Sequence, residues 1–403
     1  MLKKGGSNAA FFLLLLVAIV DTGKLFPLRL GILRLAVFAW AAWSLWRDRS
    51  KTLEADGYAL PVAGFVLLSL GHAFSSVYFW VSMQHALNIA MAALILCWAY
   101  RSVRRDPDAG WDGIFFSVCA VGIVQIAVAL FQRWLEGNMR PRGTFDNTNF
   151  FAEFMAVAAI LCLARCFGKE DGKGKRIAGA AGVLLFSYAA FVLSASRAVF
   201  VAAVPAVAIF FFSRFGWRRG GMWLLAGGLP VLAALGYRIV AERFANPDPY
   251  NYARLLLWES AGKIFLANPF GVGLGGFKFF WYSTQGPVEG AFMRYGKFST
   301  TAHNEFLEIL SGLGVVGLVL FALVLFVPLF RVWRRFGGVE EGRRWAVRGA
   351  TCGLIVSGAH AVVDFNFHEM GLVVLDAVLL GGVLASLPEN LQGIRIPVPS
   401  WGK

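Results

Sequence analysis

The sequence predicts an all-α integral membrane protein with about 12 transmembrane helices, and three observations carry that prediction. Of its 403 residues 58% are hydrophobic, with 45 glycines besides, well above the roughly 45 to 50% apolar share of soluble domains. Charged residues make up 15% where about 25% is usual, and the mean hydropathy is +0.63. Apolar stretches close to the ~20 residues that a helix needs to cross a bilayer recur along the chain. A disordered chain, a disulfide scaffold and a soluble multidomain enzyme are excluded together.

The first six stretches run Ala9 to Leu25, Leu30 to Trp46, Ala59 to Trp80, His85 to Tyr100, Gly113 to Leu135, and Thr148 to Phe167. The remaining six are Ile177 to Leu193, Arg197 to Ser213, Gly221 to Tyr237, His303 to Phe330, Ala346 to Phe365, and Gly371 to Leu387. Asp21 to Lys24 interrupt the first, and the second begins close behind, so eleven spans is the other reading. The first stretch follows Lys3 and Lys4 like a secretory signal, but no small-x-small cleavage site closes it and further spans follow; it reads as a retained helix.

Lys and Arg set the orientation, because short basic loops stay in the cytoplasm. More than half of the 38 basic residues fall at the N-terminus, in alternate loops and in the C-terminal tail, which places both termini inside. The net charge of +14 is then a topology signal with anionic-lipid contact, not a nucleic-acid footprint. Cys97, Cys119, Cys162, Cys166 and Cys352 sit inside apolar helices without metal-ligand spacing and read as packing residues.

This orientation leaves one long connection outside, residues 238 to 302, and divides the chain into spans 1 to 9 (1–237), a periplasmic loop region (238–302), and spans 10 to 12 with a cytoplasmic tail (303–403). The loop holds Tyr250, Tyr252, Trp258, the aromatic cluster Phe277 to Tyr282, Arg254, Lys263 and the glycines Gly271, Gly273, Gly275 and Gly276. Such rings suit sugars, or pack the loop onto the membrane interface.

Ionisable groups inside spans are costly and tend to mark function. Glu153, Arg197, Glu305, Glu308, His360, Asp364 and His303 all fall within about two helical turns of the outer boundaries and form one layer, with only Asp376 deeper. His303 is expected to open the tenth span, after the capping residues Ser299, Thr300 and Thr301. The helix dipole there disfavours a protonated imidazole, as a neutral base requires; the plainer reading is an interfacial histidine. Asn304 and Glu308, four apart, share a face. His360, Asp364 and His368 recur every four residues and line one stripe provided the helix continues past Phe365. A metal site, a structural stripe and an acid/base or acceptor-positioning group compete there, with the structural or positioning role favoured. Arg142, Arg197 and Arg254 lie at outer connections, where guanidinium suits phosphate oxygens or snorkels to headgroups.

Five motifs occur in order: Arg142-Gly-Thr-Phe-Asp-Asn-Thr-Asn149, Ser194-Ala-Ser-Arg197, Arg254-Leu-Leu-Leu-Trp258, Asn268-Pro-Phe-Gly-Val-Gly-Leu-Gly275, and Ala302-His-Asn-Glu-Phe-Leu307 with Gly312 and Gly314. Together they resemble the O-antigen ligase and O-antigen polymerase superfamily of bacterial envelope polysaccharide glycosyltransferases. The resemblance implies a helical GT-C-type fold in the inner membrane with its active site facing the periplasm. It implies inverting, metal-independent transfer, without a cofactor, of an undecaprenyl-diphosphate-linked glycan to an acceptor hydroxyl. The acceptor is lipid A-core for an O-antigen ligase, the favoured branch in lipopolysaccharide biosynthesis, or another lipid-linked repeat for an O-antigen or exopolysaccharide polymerase. It assigns His303 as the base and Arg197 and Arg254 to the diphosphate; Arg142, Asn149, Asn304, Glu305, His360 and Asp364 complete the expected substrate-binding set. The Ser194 turn is tighter than the family's usual loop. The only Asp-x-Asp, Asp106-Pro-Asp108, falls on an expected cytoplasmic loop, away from this site. A lipid-linked sugar flippase or carrier would show internal symmetry, and no repeated half-sequence is evident; a noncatalytic scaffold would tolerate Lys at the external arginines.

Overall fold

The computed structural model describes residues 18, 27–47, 53–55, 58–168, 172–228, 253–284, 299–388 and 394–396. Nearly all of them are helical. In order these are α1 (Pro27–Arg47), α2 (Ala59–Ser75), α3 (Phe79–Arg105), α4 (Pro107–Trp134), α5 (Thr148–Cys166), α6 (Lys173–Ser187, prolonged by a π-helical Tyr188–Leu193) and α7 (Arg197–Trp223). They continue with α8 (Ala253–Ala267), α9 (Phe277–Thr284), α10 (Glu305–Arg335), α11 (Arg344–His360) and α12 (Met370–Ser386). The exception is an antiparallel pair of three-residue strands, β1 (Leu53–Ala55) and β2 (Ile394–Ile396).

Among the described residues six helices are long and apolar enough to cross a membrane: α3, α4, α5, α6 with its extension, α7 and α10. Gly31–Trp40 within α1, α2 and α12 are shorter apolar helices. This is the make-up of a multi-pass membrane protein. The stretch expected at Ala9 to Leu25, apart from Ala18, and the part of Gly221 to Tyr237 beyond 228 lie outside the described residues, as do 229–252 and 285–298 of the region around the long connection.

Local chemistry sets the helix starts. Pro107 at the first turn and the Asp106 side chain, accepting from Ala109 N at 3.1 Å, begin α4, so half of the Asp-x-Asp pair is a helix cap. Asp108 pairs with Arg343 at 3.2 Å. Asn147 caps α5, Ser196 caps α7 and Asn304 caps α10.

The core is organised around α5, which is buried on every face and therefore meets protein rather than lipid. Small residues let its neighbours approach: Gly179 of α6 lies against the backbone at Cys162 and Cys166, and Gly349 of α11 lies against Ala164. On the far side α12 packs on α3, with Gly381 over the Leu96 carbonyl.

Two expected spans are broken. The stretch from His303 to Phe330 is not one continuous helix: α10 starts at Glu305 and is interrupted at Gly314, at φ 67° and ψ −168°. The loop after α8 docks on this break, through Val272 N to Ser311 O and Gly273 N to Gly312 O, both 2.9 Å. A side chain at Gly314 would collide with the Pro269 carbonyl, which explains why the Asn268–Gly275 and Gly312–Gly314 motifs occur together. The stretch expected at Ala59 to Trp80 likewise ends at Ser75, and α3 begins anew at Phe79.

Candidate active site

The start of α10 does not follow the expected capping pattern. Ser299, Thr300 and Thr301 do not cap it; the Asn304 side chain does, accepting from Leu307 N at 3.1 Å. Glu308 reaches back to the Ala302 N–H at 2.8 Å. These bonds hold the residue between them, His303, outside the helix with φ 50°. Among the described residues only one other non-glycine has positive φ, Ala195 at 51° in the tight Ser194–Arg197 turn. Left-handed backbone at non-glycine residues is strained and collects at functional sites.

His303 Nδ1 lies 3.2 Å from Asp364 Oδ1. The Asp364 side chain is fully buried while that of His303 keeps 31% of its exposure, so with Nδ1–H donating to Asp364 the free Nε2 is the atom left for a substrate. Ring packing on Phe365, with centroids 4.8 Å apart, fixes the imidazole plane, and Trp258 Nε1 stands 3.5 Å from the His303 carbonyl.

Asp364 is the hub. Its Oδ1 also accepts from Phe365 N at 3.0 Å, and its Oδ2 accepts from Asn149 Nδ2 at 2.7 Å and faces Arg254 Nη2 at 3.8 Å. Burial alone would raise this carboxyl, but the hydrogen bond from His303 and the adjacent His360 hold it well below the usual carboxylate range. Asn149 in turn accepts from Ser196 Oγ at 2.8 Å, tying the start of α7, and with it the exposed Arg197, to the site.

The expected helical stripe of His360, Asp364 and His368 is not formed. Helix α11 ends at His360; residues 361 to 364 form a turn and Asn366–His368 a single 3-10 turn. The turn still gathers the three residues near α10, because Glu305 N donates to Ala361 O at 2.8 Å. His360 Nε2 stands 3.5 Å from Asp364 Oδ2, and His368 Nδ1 lies 3.3 Å from Glu305. Burial would lower the His368 imidazole, but the Glu305 carboxylate, helped by Glu308, raises it to about 9. Asp376, expected to lie deeper than the layer, accepts from Ser357 Oγ of α11 at 2.9 Å.

Arg142 is exposed, its Nη1 donating to Asp146 O at 3.0 Å. Its loop is shaped by two glutamines of α4 seven residues apart. Gln132 Oε1 accepts from Arg142 N and Gly143 N at 2.9 and 3.0 Å, and Gln125 exchanges bonds with Thr144 at 2.7 and 2.8 Å. A Gln pair on one face of an apolar helix was the available sign of this brace. A cavity of about 580 Å³ beside Phe365 and Thr301 has Arg142, Lys278, His85 and His368 in its wall. An adjoining cavity of about 490 Å³, mostly apolar, shares His85 and His368 with it.

Fold and site together define a multi-pass helical membrane protein with a strained histidine, a buried carboxylate and an arginine at one end of the bundle. A family model described as O-antigen ligase matches residues 181–322. That segment holds four of the five motifs, with Arg197, Arg254 and His303, and over it the resemblance to the O-antigen ligase and polymerase superfamily is shown; members of that family are glycosyltransferase-type enzymes. The Arg142–Asn149 motif and the His360–His368 element lie outside the match. No curated protein matches the chain.

Proposed function

We propose that this protein transfers a glycan from undecaprenyl diphosphate to an acceptor hydroxyl at the periplasmic face of the bacterial inner membrane, as an O-antigen ligase acting on lipid A-core. The observation that carries this reading is the His303–Asp364 pair with Arg254 beside it, inside a bundle whose matched segment is of the O-antigen ligase type.

The geometry supports a direct displacement. His303 Nε2 takes the proton of the acceptor hydroxyl as that oxygen bonds to the anomeric carbon. The bond from this carbon to the diphosphate oxygen breaks on the opposite face, so configuration inverts. Asp364 holds the imidazole tautomer and stabilises the imidazolium that forms. Arg254 and Arg197 offset charge on the departing diphosphate, the task a metal performs in other phosphate chemistry. Adjoining cationic and apolar cavities suit an amphiphile with an anionic head.

The test is a gel of purified protein incubated with undecaprenyl-diphosphate glycan, with and without lipid A-core, in the presence and absence of chelator. A single capped product that requires the core and survives chelation is expected. A ladder formed without core makes the enzyme a polymerase, and no transfer under any condition overturns the reading.

A further inference from the structure

We propose that Glu153 and His360 are positioning residues that set the charge behind the His303–Asp364 pair, with His360 a buried imidazolium bridging two carboxylates. This rests on the reading of His303 as general base.

The chain of contacts is continuous and wholly buried beyond His303. His360 Nδ1 lies 2.5 Å from Glu153 Oε2, and its Nε2 faces Asp364 Oδ2 at 3.5 Å with no hydrogen-bond partner among the described residues. Asn366 Nδ2 holds the other Glu153 oxygen at 2.9 Å and the Ser357 carbonyl at 3.0 Å. The side chains of Glu153, His360 and Asp364 have no exposed surface.

With Glu153 and Asp364 both ionised, donor counting makes His360 a cation. A neutral imidazole has one N–H and one lone pair. With Nδ1–H on Glu153, a neutral ring would point its Nε2 lone pair at a carboxylate oxygen in a medium of low polarity. A second N–H at Nε2 replaces that repulsion by attraction.

Every charged group around the pair enters the balance. His360 meets Glu153 from α5 and Asp364 from the turn, and Asp376 of α12 accepts from Ser357 Oγ, three residues before His360 on α11. His303 meets Asp364, and Arg254 of α8 lies on the same carboxylate; Glu305 and His368 stand beyond the Phe365 ring. Asp364 alone would place one negative charge behind the base. Among the buried groups the His360 cation cancels that charge and Glu153 restores it, while water screens the half-exposed Arg254, so the carboxylate stays anchored in the core without losing its effect on His303.

Two substitutions with opposite consequences test this. Glu153→Gln keeps the shape but leaves the His360 cation uncompensated, and the acid limb of the pH–kcat profile should move down by about one pH unit with donor KM unchanged. Adding His360→Gln removes the cation as well, and the limb should return towards the wild-type position. A merely structural role predicts no displacement in Glu153→Gln, or a double variant more impaired than the single; either result overturns the proposal. Histidine ¹⁵N NMR of the wild-type protein in lipid nanodiscs decides the matter if the variants do not fold. At pH 7 the His360 resonance pair, assigned through neighbouring ¹³C labels, should report two protonated nitrogens, and a neutral ring there sinks the proposal whatever the substrate. Conversely, a doubly protonated ring in a protein that transfers no glycan would leave the charge balance standing and remove the functional reading.

Discussion

At one end of α5, Arg165 closes a 2.9 Å pair with Asp112 and lies over the Trp345 ring at 4.1 Å. At the other end, Glu153 and Asn149 reach into a cluster of two histidines and a buried aspartate. Both ends bring charge into an apolar bundle, but the partners differ. Asp112 keeps 48% of its side-chain exposure and a second cation, Lys175, at 3.6 Å, so water and neighbours share its charge. At the His303 end the carboxylates are sealed from solvent, and His360 Nε2, Asn366 Oδ1 and Asp376 Oδ2 have no hydrogen-bond partner among the described residues. Ala195 and His303, the two non-glycine residues with positive φ among the described residues, both fall at that end as well. Buried polar atoms left short of partners cost stability, and their place beside a strained histidine distinguishes this end from the satisfied Arg165–Asp112 clasp.

Substitutions sharpen this contrast, starting with the largest effect. Asp364→Asn should lower glycan transfer by about 10²-fold or more, because the amide neither stabilises an imidazolium nor fixes the tautomer with the base nitrogen outward. Arg165→Ala should leave turnover per folded molecule within about twofold while lowering the melting temperature, its half-exposed partner limiting the loss to roughly 1 kcal/mol. Equal loss of transfer in both would erase the distinction between the two ends.

A smaller effect is expected at the break in α10. Gly314→Ala forces a side chain into left-handed backbone against the Pro269 carbonyl and should destabilise by about 1–3 kcal/mol, read as a lower melting temperature and reduced yield. A melting temperature equal to wild type would mean that the docked Asn268–Gly275 loop is not a fixed part of the site.

The smallest effect is electrostatic. His368 is raised from its usual value to about 9 in the folded protein, chiefly by Glu305. A group bound more tightly to its proton when folded adds stability in full below its unfolded value, near 6.5, and loses it as pH rises through about 9. Melting temperature should therefore fall between pH 6.5 and 9, and Glu305→Gln should flatten that decline; an unchanged slope would remove the ion pair from the account.

Much of the site was legible in the sequence because ionisable residues in apolar stretches are few. His303, Arg254, Asn149 and Asp364, each expected at the site, come together in the structure. What escaped was contact across the chain. Glu153 was visible in the layer, but its partner His360 lies 207 residues away and no local spacing links them. Apolar periodicity also runs through Gly314 and up to Val363 without a sign that the helix stops, so a continuous tenth span is expected where a break occurs, and the stripe of His360, Asp364 and His368 fails on its condition because the chain turns at residues 361 to 364. The cap escapes sequence reading for a related reason: Ser299, Thr300 and Thr301 offer hydroxyls just before Asn304, and only the bond from Leu307 N shows that the Asn304 side chain begins the helix.

The most direct test is the transfer rate of His303→Ala protein in proteoliposomes, with undecaprenyl-diphosphate glycan binding measured on the same preparation. Removal of the base should lower transfer by about 10²-fold or more while binding, supported by the arginines, stays within about threefold. Transfer close to wild type with binding intact would contradict the assignment of residue 303 as the group that activates the acceptor.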